Sequence, residues 1–257
     1  SKEGVMHVCM TYLDEGDRVL VPNPGYPTYR SAVTIAGGVC VDYVLREDGG
    51  WMTDFDEIER GGLQGVKMMI VNYPHMPTGA APKEGLFRRL VDFARRHGIL
   101  LLHDNPYSFL RNDRPESLLA TPGATEVALE LNSLSKSHCM AGWRIGMIGG
   151  ARERIDEIIR FKSNMDSGMF YPLQAAAAKA LSLGDDWYRE LNALYRRREA
   201  KAYEILDAVG CTYDPVQAGL FVWGRLPEGA GDCYEFSDRV LNGCGVFLTP
   251  GGIFGSE

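Results

Sequence analysis

Residues 82–107 read PKEGLFRRLVDFARRHGILLLHDNPY. Leu86, Leu90 and Phe93 recur at a spacing that puts them on one helical face, Pro82 suits the first turn, and Gly98 ends the helix. Ile99 to Leu102 follows as a short continuous apolar run, the form a strand takes when both faces of its sheet are covered. The same alternation extends upstream. Arg18 to Val21 reads as a buried strand closed by Pro22-Asn23-Pro24-Gly25, a helical stretch from Tyr26 to Ala36 stops at Gly37-Gly38, and Val39 to Leu45 and Val66 to Val71 read as strands. Downstream, Val127 to Leu131 and Ile145 to Ile148 continue the series. Repeated βα alternation with near-continuous apolar strands predicts an α/β fold, a three-layer αβα large domain around a mainly parallel sheet.

Beyond Ile148 the pattern changes. Helical periodicity runs from Arg152 to Lys162, from Leu173 to Leu183, and through a long charged stretch from Asp185 to Val209. Gly219 to Trp223 is expected to be a strand, Tyr234 to Leu241 a helix, and Val246 to Leu248 a last strand before Pro250-Gly251-Gly252. The expected division is a large domain over residues 1–184, then a connecting helix and an incomplete smaller α+β domain over 185–257. No Met precedes Ser1-Lys2-Glu3-Gly4, so both ends are expected to have been cut from a longer chain.

Composition excludes several classes. The 257 residues are 45% hydrophobic and 24% charged, as in a soluble globular protein. A net charge of −7 argues against a nucleic-acid surface, and the densest basic run, Arg196-Arg197-Arg198, fans out on a helix as a solvated face. The longest purely apolar stretch, Ile99 to Leu102, is far short of a membrane span. The six cysteines show no C-x-x-C pair and no His at metal spacing, so no metal site is expected, and scattered free thiols point to a reducing, cytoplasmic location.

In open α/β sheets ligands bind at the carboxyl ends of the strands. After Val71 comes Asn72-Tyr73-Pro74-His75-Met76-Pro77-Thr78-Gly79, and after Leu102 comes His103-Asp104-Asn105-Pro106-Tyr107. After Leu131 comes Asn132-Ser133-Leu134-Ser135-Lys136, followed by Gly142-Trp143-Arg144-Ile145-Gly146. One such segment is as readily an ordinary hydrated loop; three in order place ionisable groups along one rim.

The order N-Y-P-x-x-P-T-G, D-x-x-Y, S-x-S-K and G-W-R-x-G resembles the fold-type-I pyridoxal-phosphate aminotransferases of class I/II, the aspartate aminotransferase superfamily. Ser163-Asn164-Met165-Asp166-Ser167-Gly168 is most similar to the LL-diaminopimelate aminotransferase branch. The resemblance implies that residues 1–184 bind pyridoxal 5'-phosphate and that Lys136 holds it as a Schiff base and shuttles a proton. Asp104 would keep the pyridine nitrogen protonated, with a helix or turn cap as its plainer role, and Tyr107 would donate to the phenolic oxygen, with packing as its plainer role. Arg144, Ser133, Ser135, Ser1 and Lys2 would hold the phosphate, the last two at a helix N-terminus spanning Glu3 to Leu13 where Ser1 is equally a plain cap. Tyr26 would stack on the ring or simply pack.

The sequence departs from the family at Met76, preceded by His75, where an Asn is usual. Methionine cannot donate that bond, so either Asn72 or Asn105 takes it over or the ring is held more loosely. The family's carboxylate-binding arginine would follow a P-G-x-x-F-G segment, and the sequence closes on Phe254-Gly255-Ser256-Glu257. As given, the chain is therefore expected to bind cofactor without transaminating. The resemblance implies amino-group transfer between an amino acid and a 2-oxo acid in a homodimer, without nucleic-acid or membrane partners. A lyase or decarboxylase of the same fold, or a cofactor-sensing regulator domain, are the alternatives.

Overall fold

The structure, a computed structural model, describes residues 1–255; Ser256 and Glu257 lie outside the described residues. In chain order the large elements are α1 (Lys2–Tyr12), β1 (Arg18–Asn23), α2 (Pro27–Ile35), β2 (Val39–Val44), α3 (Phe55–Arg60), β3 (Val66–Val71), α4 (Leu86–His97), β4 (Leu100–Asp104), α5 (Ala124–Val127) and β5 (Ala128–Ser133). There follow α6 (Leu134–Ser137), β6 (Gly146–Gly150), α7 (Arg152–Lys162), α8 (Tyr171–Leu181), α9 (Asp185–Ala208), β7 (Thr212–Tyr213), β8 (Gly224–Arg225) and α10 (Cys233–Cys244).

Six strands form one sheet in the order β2-β1-β3-β4-β5-β6. β1 to β5 pair in parallel and β6 runs antiparallel to β5, with Ser133 opposite Gly146. This mainly parallel α/β sheet is the fold the βα alternation predicts. Successive strand residues point to opposite faces, and β3 shows why both faces are covered. Met68 and Ile70 pack with Val5, Val8 and Tyr29 of α1 and α2, while Met69 and Val71 pack with Leu90, Val91 and Phe93 of α4. Each such fully buried side chain contributes about 1.5–3 kcal/mol by leaving water.

Register sets the rim. Val71 pairs with His103 and Asp104 with Leu131, so β3, β4 and β5 end side by side. Because β6 is antiparallel, its beginning lies at that same rim, and the segment between Ser133 and Gly146 is a reversal rather than a crossover.

Three expectations are corrected. Gly219 to Trp223 is no strand: the Ala218 and Gly219 amides bond to Gly79 and Leu110, so their hydrogen bonds lie outside any ladder, and the strand is only Gly224–Arg225 paired with Thr212–Tyr213. Val246 to Leu248 is likewise not in a ladder; the Leu248 carbonyl accepts from the Ser237 hydroxyl of α10. Pro82 lies before the α4 helix, which begins at Leu86 after Gly85 takes a left-handed turn (φ 79°) that suits glycine. Among the described residues no helix is long and apolar enough to cross a membrane.

Candidate active site

Asp104 is the last residue of β4 and is buried. Its Oδ2 accepts a hydrogen bond from the Tyr29 hydroxyl at 2.9 Å. Its Oδ1 is buried without a hydrogen bond of normal geometry, although the start of α1 at Ser1 lies close by. Burial raises the Asp104 pKa, and the Tyr29 bond opposes the rise. Tyr29 is itself buried and pushed well above its ordinary value, by burial first and then by the neighbouring carboxylate. Sequence reasoning missed Tyr29. The available signal was its place one helical turn after Tyr26, on the face of α2 that covers the sheet.

The neighbours of Asp104 point elsewhere. His103 lies between Glu130 (Nδ1 to Oε2, 3.0 Å) and the Tyr73 carbonyl (Nε2 to O, 3.0 Å). Asn105 donates to the Glu116 carbonyl at 3.1 Å and to Glu130 at 3.3 Å. Asn72 donates to the Asp104 carbonyl at 2.6 Å and accepts from the Met76 amide at 2.7 Å, joining the ends of β3 and β4. The amide donors of both asparagines thus already serve protein acceptors.

Tyr107 is buried, and its hydroxyl donates to Met76 Sδ at 3.1 Å. Burial, then the charge of Asp104, raises its pKa. Beside Met76, His75 bonds Thr78 through Nδ1 (2.8 Å), and burial lowers its pKa to about 3, so the ring is neutral. Tyr26 is half-buried at the start of α2, edge-on to Tyr29 (5.6 Å between centroids), with Lys2 Nζ 5.8 Å from its ring centre.

At the other end of the rim, Ser133 caps α6 by accepting from the Ser135 amide (3.2 Å) and donates to the Ile145 carbonyl (3.3 Å). Lys136 is half-buried on α6, and its amine makes no hydrogen bond or ion pair among the described residues. The helix is held from behind by Trp187, whose Nε1 donates to the Ser137 carbonyl at 2.9 Å. Arg144 has left-handed backbone (φ 56°) and donates to the Ala141 carbonyl at 2.7 Å. Ser1, Ser135, Arg144 and Gly146 line one cavity of about 240 Å³. A Cβ on Gly146 would stand 2.6 Å from the Ser1 nitrogen, so this glycine lets the start of α1 rest directly on β6.

The sequence model of the family described as aminotransferase class I and II matches residues 1–257. The chain belongs to this family. Among its class I and II relatives, the LL-diaminopimelate aminotransferase of Nitratidesulfovibrio vulgaris strain Hildenborough is 40% identical over 259 aligned positions, covering 100% of this chain and 66% of the relative. That of Desulforudis audaxviator is 39% identical, with 100% and 66% covered. Among solved structures, apo-BacF from Bacillus subtilis superposes with a TM-score of 0.94 at 34% identity, over 100% of this chain and 66% of BacF. The aromatic aminotransferase of Pyrococcus horikoshii gives 0.92 at 26% identity, over 99% of this chain and 69% of that one. The chain thus spans 66% of the length of the curated relatives named here.

The residues present fit pyridoxal phosphate, the cofactor this aminotransferase family uses. A buried carboxylate with one oxygen held by Tyr29 and the other unbonded suits a protonated ring nitrogen, and a lysine whose amine has no partner among the described residues suits covalent attachment. Asn72, Ser133 and Arg144 are expected contacts whose side chains already bond to backbone groups.

Proposed function

We propose that the chain forms the cofactor-binding part of a pyridoxal-phosphate-dependent enzyme that transfers an amino group between an amino acid and a 2-oxo acid. The observation that carries this reading is Asp104: a buried carboxylate at the end of a central strand, one oxygen bonded by Tyr29 and the other buried without a hydrogen bond of normal geometry. Residues 1–184 would hold the cofactor, and 185–257 would supply the connecting helix and part of a second domain. A cytoplasmic homodimer is the assembly we propose.

Bound pyridoxal phosphate supplies an electron sink that acidifies the substrate Cα–H bond. Asp104 holds a proton on the ring nitrogen, and its burial strengthens that interaction. Lys136 would provide the attaching amine, and its nitrogen would take and hold the proton from the substrate Cα. Tyr107 would donate to the phenolic oxygen, where Met76 has no donor; both amide hydrogens of Asn105 already serve Glu116 and Glu130, and one of Asn72's serves the Asp104 carbonyl. Tyr26 covers a ring face. Arg144, Ser135, Ser133, Ser1 and Lys2 face the phosphate, around the cavity that Ser1, Ser135 and Arg144 line.

The names of the relatives make LL-diaminopimelate the amino donor to test first, with glutamate beside it. The protein is loaded with pyridoxal phosphate, reduced with borohydride and mapped by mass spectrometry. The expected adduct is on Lys136; an adduct on Lys67 or Lys162 instead refutes the assignment. Loss of the bound cofactor's visible absorbance on adding either amino acid tests transfer; the chain as given is expected to show none, and a loss would show that the residues present suffice. Release of ammonia or carbon dioxide in its place would make the reaction a lyase's or a decarboxylase's.

A further inference from the structure

The loop that follows β4 carries Tyr107 and reaches, four residues later, a buried arginine with left-handed backbone, Arg111 (φ 46°). Non-glycine residues rarely adopt that conformation, and here it is held from several sides. The Arg111 amide donates to Asn192 Oδ1 of α9 (2.8 Å), and Asn192 Nδ2 returns a bond to the Phe109 carbonyl (3.0 Å). In the side chain, Nε donates to the Gly219 carbonyl (2.8 Å), Nη2 to the Phe221 carbonyl (2.7 Å), and Nη1 pairs with Glu199 of α9. Glu199 Oε1 also accepts from the Tyr203 hydroxyl at 3.1 Å. The guanidinium thus ties the connecting helix to the backbone of residues 219–221.

That backbone lies directly on Tyr107. The Gly219 amide donates to the Leu110 carbonyl at 2.8 Å, and a Cβ on Gly219 would stand 3.4 Å from Tyr107 Cβ. The Phe221 ring meets the Tyr107 ring edge-on, 5.8 Å between centroids. On the far side the phenol hydroxyl reaches Met76 Sδ. Tyr107 is clamped between Met76 and residues 219–221, and the groups that keep the clamp shut belong to Arg111.

We propose that Arg111, through its pair with Glu199, is a positioning residue for Tyr107: it presses residues 219–221 onto the phenol and so fixes the direction of the hydroxyl toward the cofactor's phenolic oxygen. The inference rests on the pyridoxal-phosphate reading above. A buried ion pair alone is weak grounds for a role beyond packing. What distinguishes this pair is that its other ligands are the carbonyls of the segment covering Tyr107.

The test uses Glu199→Gln and Arg111→Lys, both close in size to the native residues, beside Tyr107→Phe. A hydroxyl donating to the phenolic oxygen favours negative charge there and lowers the pH midpoint at which the bound cofactor's visible absorbance changes. Tyr107→Phe should raise that midpoint by about one unit, and Glu199→Gln should raise it comparably. Glu199→Gln combined with Tyr107→Phe should raise it no further than Tyr107→Phe alone. A fall in melting temperature with an unmoved midpoint, or shifts that add in the double variant, would overturn the proposal. A second measurement needs no cofactor: in Glu199→Gln the Gly219 amide should exchange its hydrogen faster than in the unmodified protein. Unchanged exchange also overturns it. If the unmodified protein shows no cofactor absorbance, the cofactor reading has failed, and the exchange result still judges the clamp.

Discussion

Tyr29→Phe removes one hydroxyl from a buried site and keeps the ring that packs α2 onto the sheet. That hydroxyl provides the 2.9 Å bond to Asp104 Oδ2, while Oδ1 makes none. A hydrogen bond to a charged group contributes about 1.5–3 kcal/mol, against about 0.5–1.5 kcal/mol between neutral groups. The variant should therefore lose about 1 kcal/mol more stability when Asp104 is ionised than when it is protonated, which is close to one pKa unit. Burial already places the folded pKa of Asp104 above its ordinary value. The stability owed to the protonated carboxyl is thus fully present below the unfolded value and lost as pH rises through the folded one. Without Tyr29 that loss should run on to higher pH and go deeper. Urea unfolding of cofactor-free protein, compared at about pH 5 and about pH 8, measures it. An equal loss at both pH values would refute the view that Tyr29 holds the Asp104 charge.

In the full-length protein Asp104→Asn should keep the fold and bound cofactor yet slow proton abstraction by orders of magnitude, read as a single-turnover rate; a near-normal rate would reduce Asp104 to a cap. Gly146→Ala should destabilise the protein by about 1–3 kcal/mol in denaturant titration, because the new Cβ would fall 2.6 Å from the Ser1 nitrogen. Glu130→Gln should flatten the acid limb of the stability curve. Burial alone would raise the Glu130 pKa, but hydrogen bonds led by His103 hold it net below its ordinary value. Its contribution is present above the unfolded pKa and lost as pH falls through the folded one, and an unchanged acid limb would refute it.

The parallel sheet was legible because β3 is apolar at five of six positions and β4 opens on Leu100, Leu101 and Leu102, runs that suit a doubly covered strand. The stretch Gly219 to Trp223 is nearly as apolar and misled the reading. Its side chains pack on Tyr107, Phe254 and Trp51 while its backbone bonds to loops, and composition does not encode which of the two an apolar run does. At the site, Asp104, Tyr107 and Lys136 stood out because each lies at or within three residues of a strand end, in motifs that resemble the family's. Tyr29 did not, since a helical tyrosine reads as core until the sheet register brings Asp104 beneath it. The part played by Asn72 was equally hidden, because its partners are backbone atoms that any sequence would supply.

The antiparallel turn of β6 has a mechanical consequence. Lys136 and Arg144, assigned to two neighbouring substituents of the same small molecule, share one hairpin whose two legs are joined by the bond from the Leu134 amide to the Ile145 carbonyl (3.3 Å). Had β6 run parallel, the two groups would be separated by a crossover and would drift independently as the sheet flexed. On a common hairpin they travel together, like two jaws cut from one piece of metal. Deformations of the surrounding sheet would carry the gripped molecule along with its span unchanged, whereas a change within residues 134–145 would disturb attachment and phosphate grip at once.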